Sequence, residues 1–190
     1  MQESFTEETF EKKNFTTDSF IKGEYENCIF KNCDFSNSDL SEVIFIECEF
    51  IECNLSLATL TKTAFRDIKF NGCKMLGLHF EHCNSFGLSF GFEKCTLNHT
   101  SFYQVKLKKT HFKETQLQEV DFTQCDLTSS LFDNCDLRDA KFENTIIEKA
   151  DLRSSFNYSI DPESNYIKKA RFSLHQVYGL LAKYDIDIEE

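Results

Sequence analysis

An all-β solenoid is the fold class that this chain of 190 residues predicts. The first observation behind it is a period of five. Between Val120 and Leu152 every fifth residue is large and apolar: Phe122, Leu127, Phe132, Leu137, Phe142, Ile147 and Leu152. The second is a small or slim residue two positions before each of these, namely Val120, Cys125, Ser130, Cys135, Ala140, Thr145 and Ala150. Such a period fits neither the two-residue alternation of a flat strand nor the turn of an α-helix. In an extended segment, residues two apart share a side. The large residue (the centre) and the slim one (the minor position) therefore point into one interior while the residue between them faces water. The third observation is compositional: 21 Phe, no Trp, 6 Gly and 1 Pro describe a chain that turns many corners without the usual turn residues. A bend in each quintet coils the chain, and neighbouring turns of the coil satisfy one another's backbone hydrogen bonds.

From Phe5 to Phe80 the centres fall on multiples of five. Residues 1–22 nonetheless form a poor first turn, because the minor positions Glu3, Glu8, Lys13 and Asp18 are charged. Unpaired charges are costly to bury, so an irregular or frayed cap, or an open first coil, is expected there. The regular β-helix is expected over 23–156. Between Phe80 and Phe92 the count slips by two: Ser85 stands at a centre, and Gly87 and Gly91 suit a kink near 84–91. The core after the kink is expected to hold Phe112, Phe122, Leu127, Phe132, Leu137 and Phe142, with Cys125, Cys135 and Ala140 filling minor positions. The repeat is expected to stop near Leu152 to Phe156, ahead of the single proline, Pro162. Ser173 then reads as the N-cap of a short C-terminal α-helix over about 174–184, within a capping or dimerisation segment 157–190. On that helix Leu174, Val177, Tyr178 and Leu181 form one apolar stripe. The stripe either plugs the open end of the solenoid or meets a second copy.

Nine cysteines invite a metal or disulfide reading, but all nine (Cys28, Cys33, Cys48, Cys53, Cys73, Cys83, Cys95, Cys125 and Cys135) fall at minor positions. There a thiol acts as a compact hydrophobe, and free thiols are expected.

The tandem quintets Cys125-Asp126-Leu127-Thr128-Ser129 and Ala150-Asp151-Leu152-Arg153-Ser154 resemble the pentapeptide-repeat family. That resemblance implies a right-handed quadrilateral β-helix with four repeats per turn. Residues twenty apart would then stack, aligning Cys33, Cys53 and Cys73, and the alternation after Phe92 would put Phe centres on two opposite sides and Leu centres on the other two. The tail, with Phe172-Ser173-Leu174, Gly179-Leu180-Leu181 and Asp185-Ile186-Asp187-Ile188, is similar to that of quinolone-resistance (Qnr-type) members. The likeness implies a homodimer seamed by Leu174, Val177, Tyr178 and Leu181. It also implies a type II topoisomerase partner, DNA gyrase or topoisomerase IV, engaged by DNA mimicry.

No residue pattern suggests catalysis. The five histidines, His79, His82, His99, His111 and His175, are scattered, and only His79, His82 and Cys83 lie close together, with Cys83 expected to point the other way. No phosphate-binding loop is present. Enzyme activity, metals, cofactors and small-molecule substrates are therefore not expected. The sequence starts without a basic leader and holds no long apolar run, so a cytoplasmic location and no membrane span are expected. A formal net charge of -11 argues against direct nucleic-acid binding and suits a partner with a basic groove. A dimer would carry very roughly one charge per 3–4 Å of coil, against one per ~1.7 Å in duplex DNA. Residues 114–152 hold ten acids and three bases, whereas 53–113 hold three acids and nine bases. Asp126, Asp133, Asp136 and Asp139 are accordingly the expected partner-binding acids. A scaffold that binds some other protein is the alternative.

Overall fold

Short parallel strands set twenty residues apart are the repeating unit of the computed structural model, which describes residues 3–18 and 20–189. The strands are β1 (Glu3–Thr6), β2 (Thr9–Glu11), β3 (Gly23–Glu26), β4 (Ile29–Lys31), β5 (Ile44–Ile46), β6 (Glu49–Ile51), β7 (Ala64–Arg66), β8 (Ile68–Asn71), β9 (Phe90–Glu93), β10 (His111–Lys113) and β11 (Leu131–Asp133). Glu3 pairs with Gly23 and Thr9 with Ile29. Five-residue steps that return to register after twenty give four sides per coil. β1, β3, β5 and β7 stack on the first side, and β2, β4, β6, β8, β9, β10 and β11 on the second. The third and fourth sides are held by single bridges, such as Thr96–Gln116–Asp136 and Ser101–Asp121–Lys141.

Centres and minor positions fill the interior. Phe112, Phe122, Leu127, Phe132, Leu137, Cys125 and Cys135 are fully buried, and Ala140 and Phe142 nearly so. After the kink the phenylalanines form two columns on opposite sides. Phe92, Phe112 and Phe132 stack at 5.3 and 4.8 Å, and Phe102, Phe122 and Phe142 at 5.5 and 5.3 Å. The columns meet edge to face, as Phe122 does with Phe132 at 6.1 Å and 90°, the arrangement that ring quadrupoles favour. The first coil belongs to the same structure: Phe5, Phe10, Phe15 and Phe20 are half-buried against the core, while Glu3, Glu8, Lys13 and Asp18 stay exposed.

Corners are made by a left-handed residue two places after the centre, as at Asn32 (φ 52°), Gln124 (φ 55°) and Ser129 (φ 61°). That conformation costs a non-glycine residue roughly 1–2 kcal/mol. Most such N–H groups reach a carbonyl on the next coil, Gln124 that of Glu143 at 2.8 Å, and Asp67 and Asn134 reach the hydroxyls of Ser89 and Ser154 instead, which offsets the strain. On the third and fourth sides the corner also closes on itself, as when Thr100 N–H donates to the Leu97 carbonyl. This is the type II turn, whose third residue needs positive φ.

The quintets that hold β1–β11 lack that internal bond, whereas the unstranded quintets of the first and second sides keep it, as Ser130 N–H does with the Leu127 carbonyl, and this places most of the cysteines. The Cys48, Cys53, Cys73 and Cys135 thiols donate to the carbonyls of Tyr25, Phe30, Phe50 and Phe112, each one coil below, at 3.2–3.4 Å. Burial pushes the Cys48 and Cys135 thiols up to about 12, so the donor proton is kept. Hydroxyls do the same elsewhere, Ser155 to the Phe132 carbonyl at 2.9 Å and Thr145 to that of Phe122 at 2.8 Å. All nine thiols are free. The Phe102 carbonyl, one coil below Cys125, takes the Val105 N–H, and Cys125 is a filler where Cys135 is a donor. Cys135→Ala is expected to cost about 1 kcal/mol more than Cys125→Ala, since it also removes the thiol's bond to the Phe112 carbonyl. Urea midpoints of the two variants check this, and equal shifts would remove the donor role.

At the kink the register between β8 and β9 lengthens, so that Phe70 pairs with Phe92. A short 3-10 turn at Phe80–His82 starts the excess. Ser85 does not enter the core but lies exposed, and Phe90 turns inward instead, 5.1 Å from both Phe80 and Phe92. The first-side ladder stops at β7 and resumes as the bridges Lys106–Asp126–Ile146–Tyr166.

The coil also runs past residue 156, where the sequence pattern ends it. Ile146 bridges Tyr166 and Asp151 bridges Arg171. Asn165 takes a minor position and its Nδ2 donates to the Phe142 carbonyl at 2.9 Å. Tyr158 and Ile160 fill the interior beneath. The helical tail is of 3-10 type, Leu174–Leu180 and Ala182–Tyr184, rather than α. Ser173 makes no side-chain cap there, and so short a segment lacks the length that sustains an α-helix by itself. No helix among the described residues is long and apolar enough to cross a membrane.

Candidate partner-binding surfaces

The residue between minor position and centre is often acidic, and the structure gives it a structural task. Asp121 accepts the Thr123 N–H at 2.8 Å, Asp126 that of Thr128 at 3.1 Å, and Asp136 that of Arg138 at 3.2 Å. These are Asx turns, which brace the corner that follows. Among the four acids expected to meet a partner, two, Asp126 and Asp136, therefore brace corners. Asp126 lies on the first side, paired with Lys108 at 3.1 Å. Asp136 lies on the third, accepting Gln118 Nε2 at 2.7 Å and Asn157 Nδ2 at 2.8 Å. Asp133 is on the second side and accepts Ser154 Oγ at 3.1 Å. Asp139 is exposed at a left-handed corner of the third. The coil thus spreads the four over three sides, placing only Asp136 and Asp139 together.

Burial works to raise Asp136, but hydrogen bonds from Gln118 and Asn157 outweigh it and hold the carboxyl below the usual carboxylate range. At Asp126 burial is likewise outweighed by Thr128 and Lys108. Hydrogen bonds from Arg153 lower Asp151. A carboxyl whose folded pKa is depressed stabilises the chain above its unfolded value, near pH 4, and that contribution is lost as pH falls through the folded value. The thermal midpoint is expected to fall below ~pH 4. Asp136→Asn, which keeps an acceptor for the turn, is expected to flatten that acid limb, and midpoints measured across pH check it. An unchanged limb would assign the acid sensitivity elsewhere.

The tail lies against the last coil. Ile160 N–H donates to the Gly179 carbonyl at 2.9 Å, and Lys183 Nζ reaches Asp161 at 2.7 Å and Glu163 at 2.6 Å. Tyr184 OH also donates to Glu163. Of the stripe expected to form a dimer seam, Leu174 is 85% exposed, Val177 38% and Tyr178 46%, while Leu181 is half-buried. Ile186 and Ile188 add to this exposed apolar surface.

Where the first-side ladder breaks, a cleft of about 570 Å³ opens between residues 80–88 and 103–106, walled by Phe80, Leu88 and Val105 and edged by Glu81, Tyr103 and Lys106. Nearby, His79 and His82 stack at 5.4 Å, and His79 pairs with Glu81. Among the described residues no group of three or more His, Cys, Asp or Glu converges on a metal position.

The family model for the pentapeptide repeat region matches residues 23–91 and 78–152, well over half of the chain. The chain belongs to the pentapeptide-repeat family. Among curated proteins none matches this pentapeptide-repeat protein. Similar solved structures include two trypsin-treated forms of QnrB1, a plasmid-mediated fluoroquinolone resistance protein. One is 20% identical over 98% of this chain and 100% of its own, with a TM-score of 0.63. The other is 21% identical over 98% and 97%, with a TM-score of 0.64. At that identity the likeness is one of fold, and it extends over the tail as well as the coil.

Proposed function

We propose that this pentapeptide-repeat protein is a non-enzymatic, Qnr-like interaction protein of the cytoplasm. In this reading it forms a tail-to-tail dimer, engages DNA gyrase and topoisomerase IV through its acidic surface, and protects them from fluoroquinolones. The observation that carries the reading is the likeness to QnrB1 over nearly the whole of both chains, tail included. The exposed Leu174, Val177 and Tyr178 supply an apolar seam, and a net charge of -11 suits a groove that otherwise holds DNA.

A gyrase supercoiling assay with added protein, with and without ciprofloxacin, tests it. Inhibition alone, or restored supercoiling in the presence of drug, supports engagement of the enzyme. No effect in either arm favours a scaffold for another protein, a reading that the spread of the four acids over three sides also suits. Charge reversal should be confined to Asp133 and Asp139, because Asp126 and Asp136 brace corners. Asp133→Lys with Asp139→Lys is expected to raise the concentration needed for a given effect by roughly tenfold, about 1.4 kcal/mol. An unshifted dose response with an intact fold would move the contact to other residues.

A further inference from the structure

The first side is broken at residues 83–89, and its charges divide at the same place. Before the break it carries Glu3, Glu7, Glu24, Glu26, Glu47 and Asp67 against Arg66 alone. After it come Lys106, Lys108, Lys109, Lys149, Lys168 and Lys169 against Asp126 and Glu148. Along this side the broken coil is the fifth of nine, from residues 3–7 to residues 165–169. Phe86 belongs to it and is 77% exposed, with the Arg66 guanidinium 5.6 Å from its ring centroid. The cleft walled by Phe80, Leu88 and Val105 opens in the same coil.

We propose that this side is a self-complementary interface. It joins two antiparallel copies about a two-fold axis through the fifth coil, with Phe86 of each copy seated in the cleft of the other. A second copy is the occupant because every feature finds its complement on the same chain: acidic half and basic half, aromatic knob and apolar-walled cleft. That is the requirement of an isologous contact. With the axis at the fifth coil, Glu3 and Glu7 of the first coil face Lys168 and Lys169 of the ninth. Asp67 of the fourth faces Lys106 and Lys109 of the sixth. Glu47 faces the coil of Asp126, whose carboxylate is already neutralised by Lys108 at 3.1 Å. Among the described residues Lys106, Lys109, Lys149, Lys168 and Lys169 make no internal ion pair, which leaves them available.

One side of a coil this long, eight steps of ~4.8 Å, sits at the small end of protein interfaces, so the association is reversible. Its charge complementarity makes it salt-sensitive. It is separate from a tail seam, which uses Leu174, Val177 and Tyr178.

Sedimentation of the full chain tests it, in a Leu174→Asp background that silences the tail, at ~50 mM and ~500 mM salt. Concentration-dependent dimers at low salt, at least tenfold weaker at high salt, are expected. Phe86→Asp abolishes them, as does Lys168→Glu with Lys169→Glu, or Glu3→Lys with Glu7→Lys. Mixing the two charge-reversed variants restores association, because every reversed pair is then matched. All these residues are exposed, and circular dichroism verifies the fold. A monomer at both salts, parent-like dimers in Phe86→Asp, or a mixture that stays monomeric overturns the proposal.

Discussion

Phe122→Ala is expected to lose about 3–5 kcal/mol of stability, the upper range for a large-to-small core change. Its ring has four aromatic neighbours. Phe102 stacks above at 5.5 Å and 5°, Phe142 below at 5.3 Å and 25°, and Phe112 and Phe132 present edges at 6.2 and 6.1 Å. Each such pair adds roughly 0.5–1.5 kcal/mol beyond the area it buries. The cavity sits in the middle of a column whose neighbours are fixed by inter-coil hydrogen bonds on all four sides, so collapse is opposed. In a solenoid each coil contacts only its neighbours, and the loss is concentrated in the coils on either side of Phe122. For a chain of this size the thermal midpoint should drop by roughly 6–20 °C. Phe5→Ala, at the half-buried end of a column, should cost less than half as much. Calorimetry of both variants checks the contrast. A Phe122→Ala midpoint within ~2 °C of the parent would mean that the aromatic column does not hold the coil.

The column was legible because a period of five repeats many times and each repeat names its own inward pair. The placement of the cysteines was legible as filling but not as bonding. Only the coil reveals that the Cys135 thiol donates to the carbonyl of a strand residue, Phe112, while Cys125 stands over a carbonyl, that of Phe102, which closes a turn with the Val105 N–H. In the repeat pattern the acids are simply outward charge, yet Asp126 and Asp136 sit one place before a corner whose N–H they accept. Their spacing from Thr128 and Arg138, two residues on, was the available signal. The last coil was lost because the centres due at 157 and 162 are Asn157 and Pro162. Counting on by five would have returned at Ile167 and Phe172, which do pack against the core. The division of charge on the first side could not be read in chain order, since its members come from quintets twenty residues apart.

Gly179→Ala is expected to release the tail. A methyl group at that position would overlap the Tyr158 carbonyl oxygen and approach its ring carbon Cδ2 to 2.8 Å. Neither neighbour can yield, because Tyr158 is 3% exposed and the Ile160 N–H is bonded to the Gly179 carbonyl itself. Overpacking of this kind costs roughly 1–3 kcal/mol, more than the exposed ion pairs of Lys183 with Asp161 and Glu163 can return. Residues 174–184 should therefore become protease-sensitive while the coil stays folded. Gly91→Ala is the control: its nearest atom is the His111 carbonyl oxygen at 3.8 Å, and little change is expected. The same variant separates the two roles of the tail. If the tail seams a dimer, Gly179→Ala should weaken dimerisation by at least tenfold, about 1.4 kcal/mol, because the docked tail is what holds Leu174, Val177 and Tyr178 in place. If the tail only closes the end of the coil, the oligomeric state should not move while the thermal midpoint falls. A tail as protected as the parent's would show that the contact between Gly179 and Tyr158 is not what fixes it.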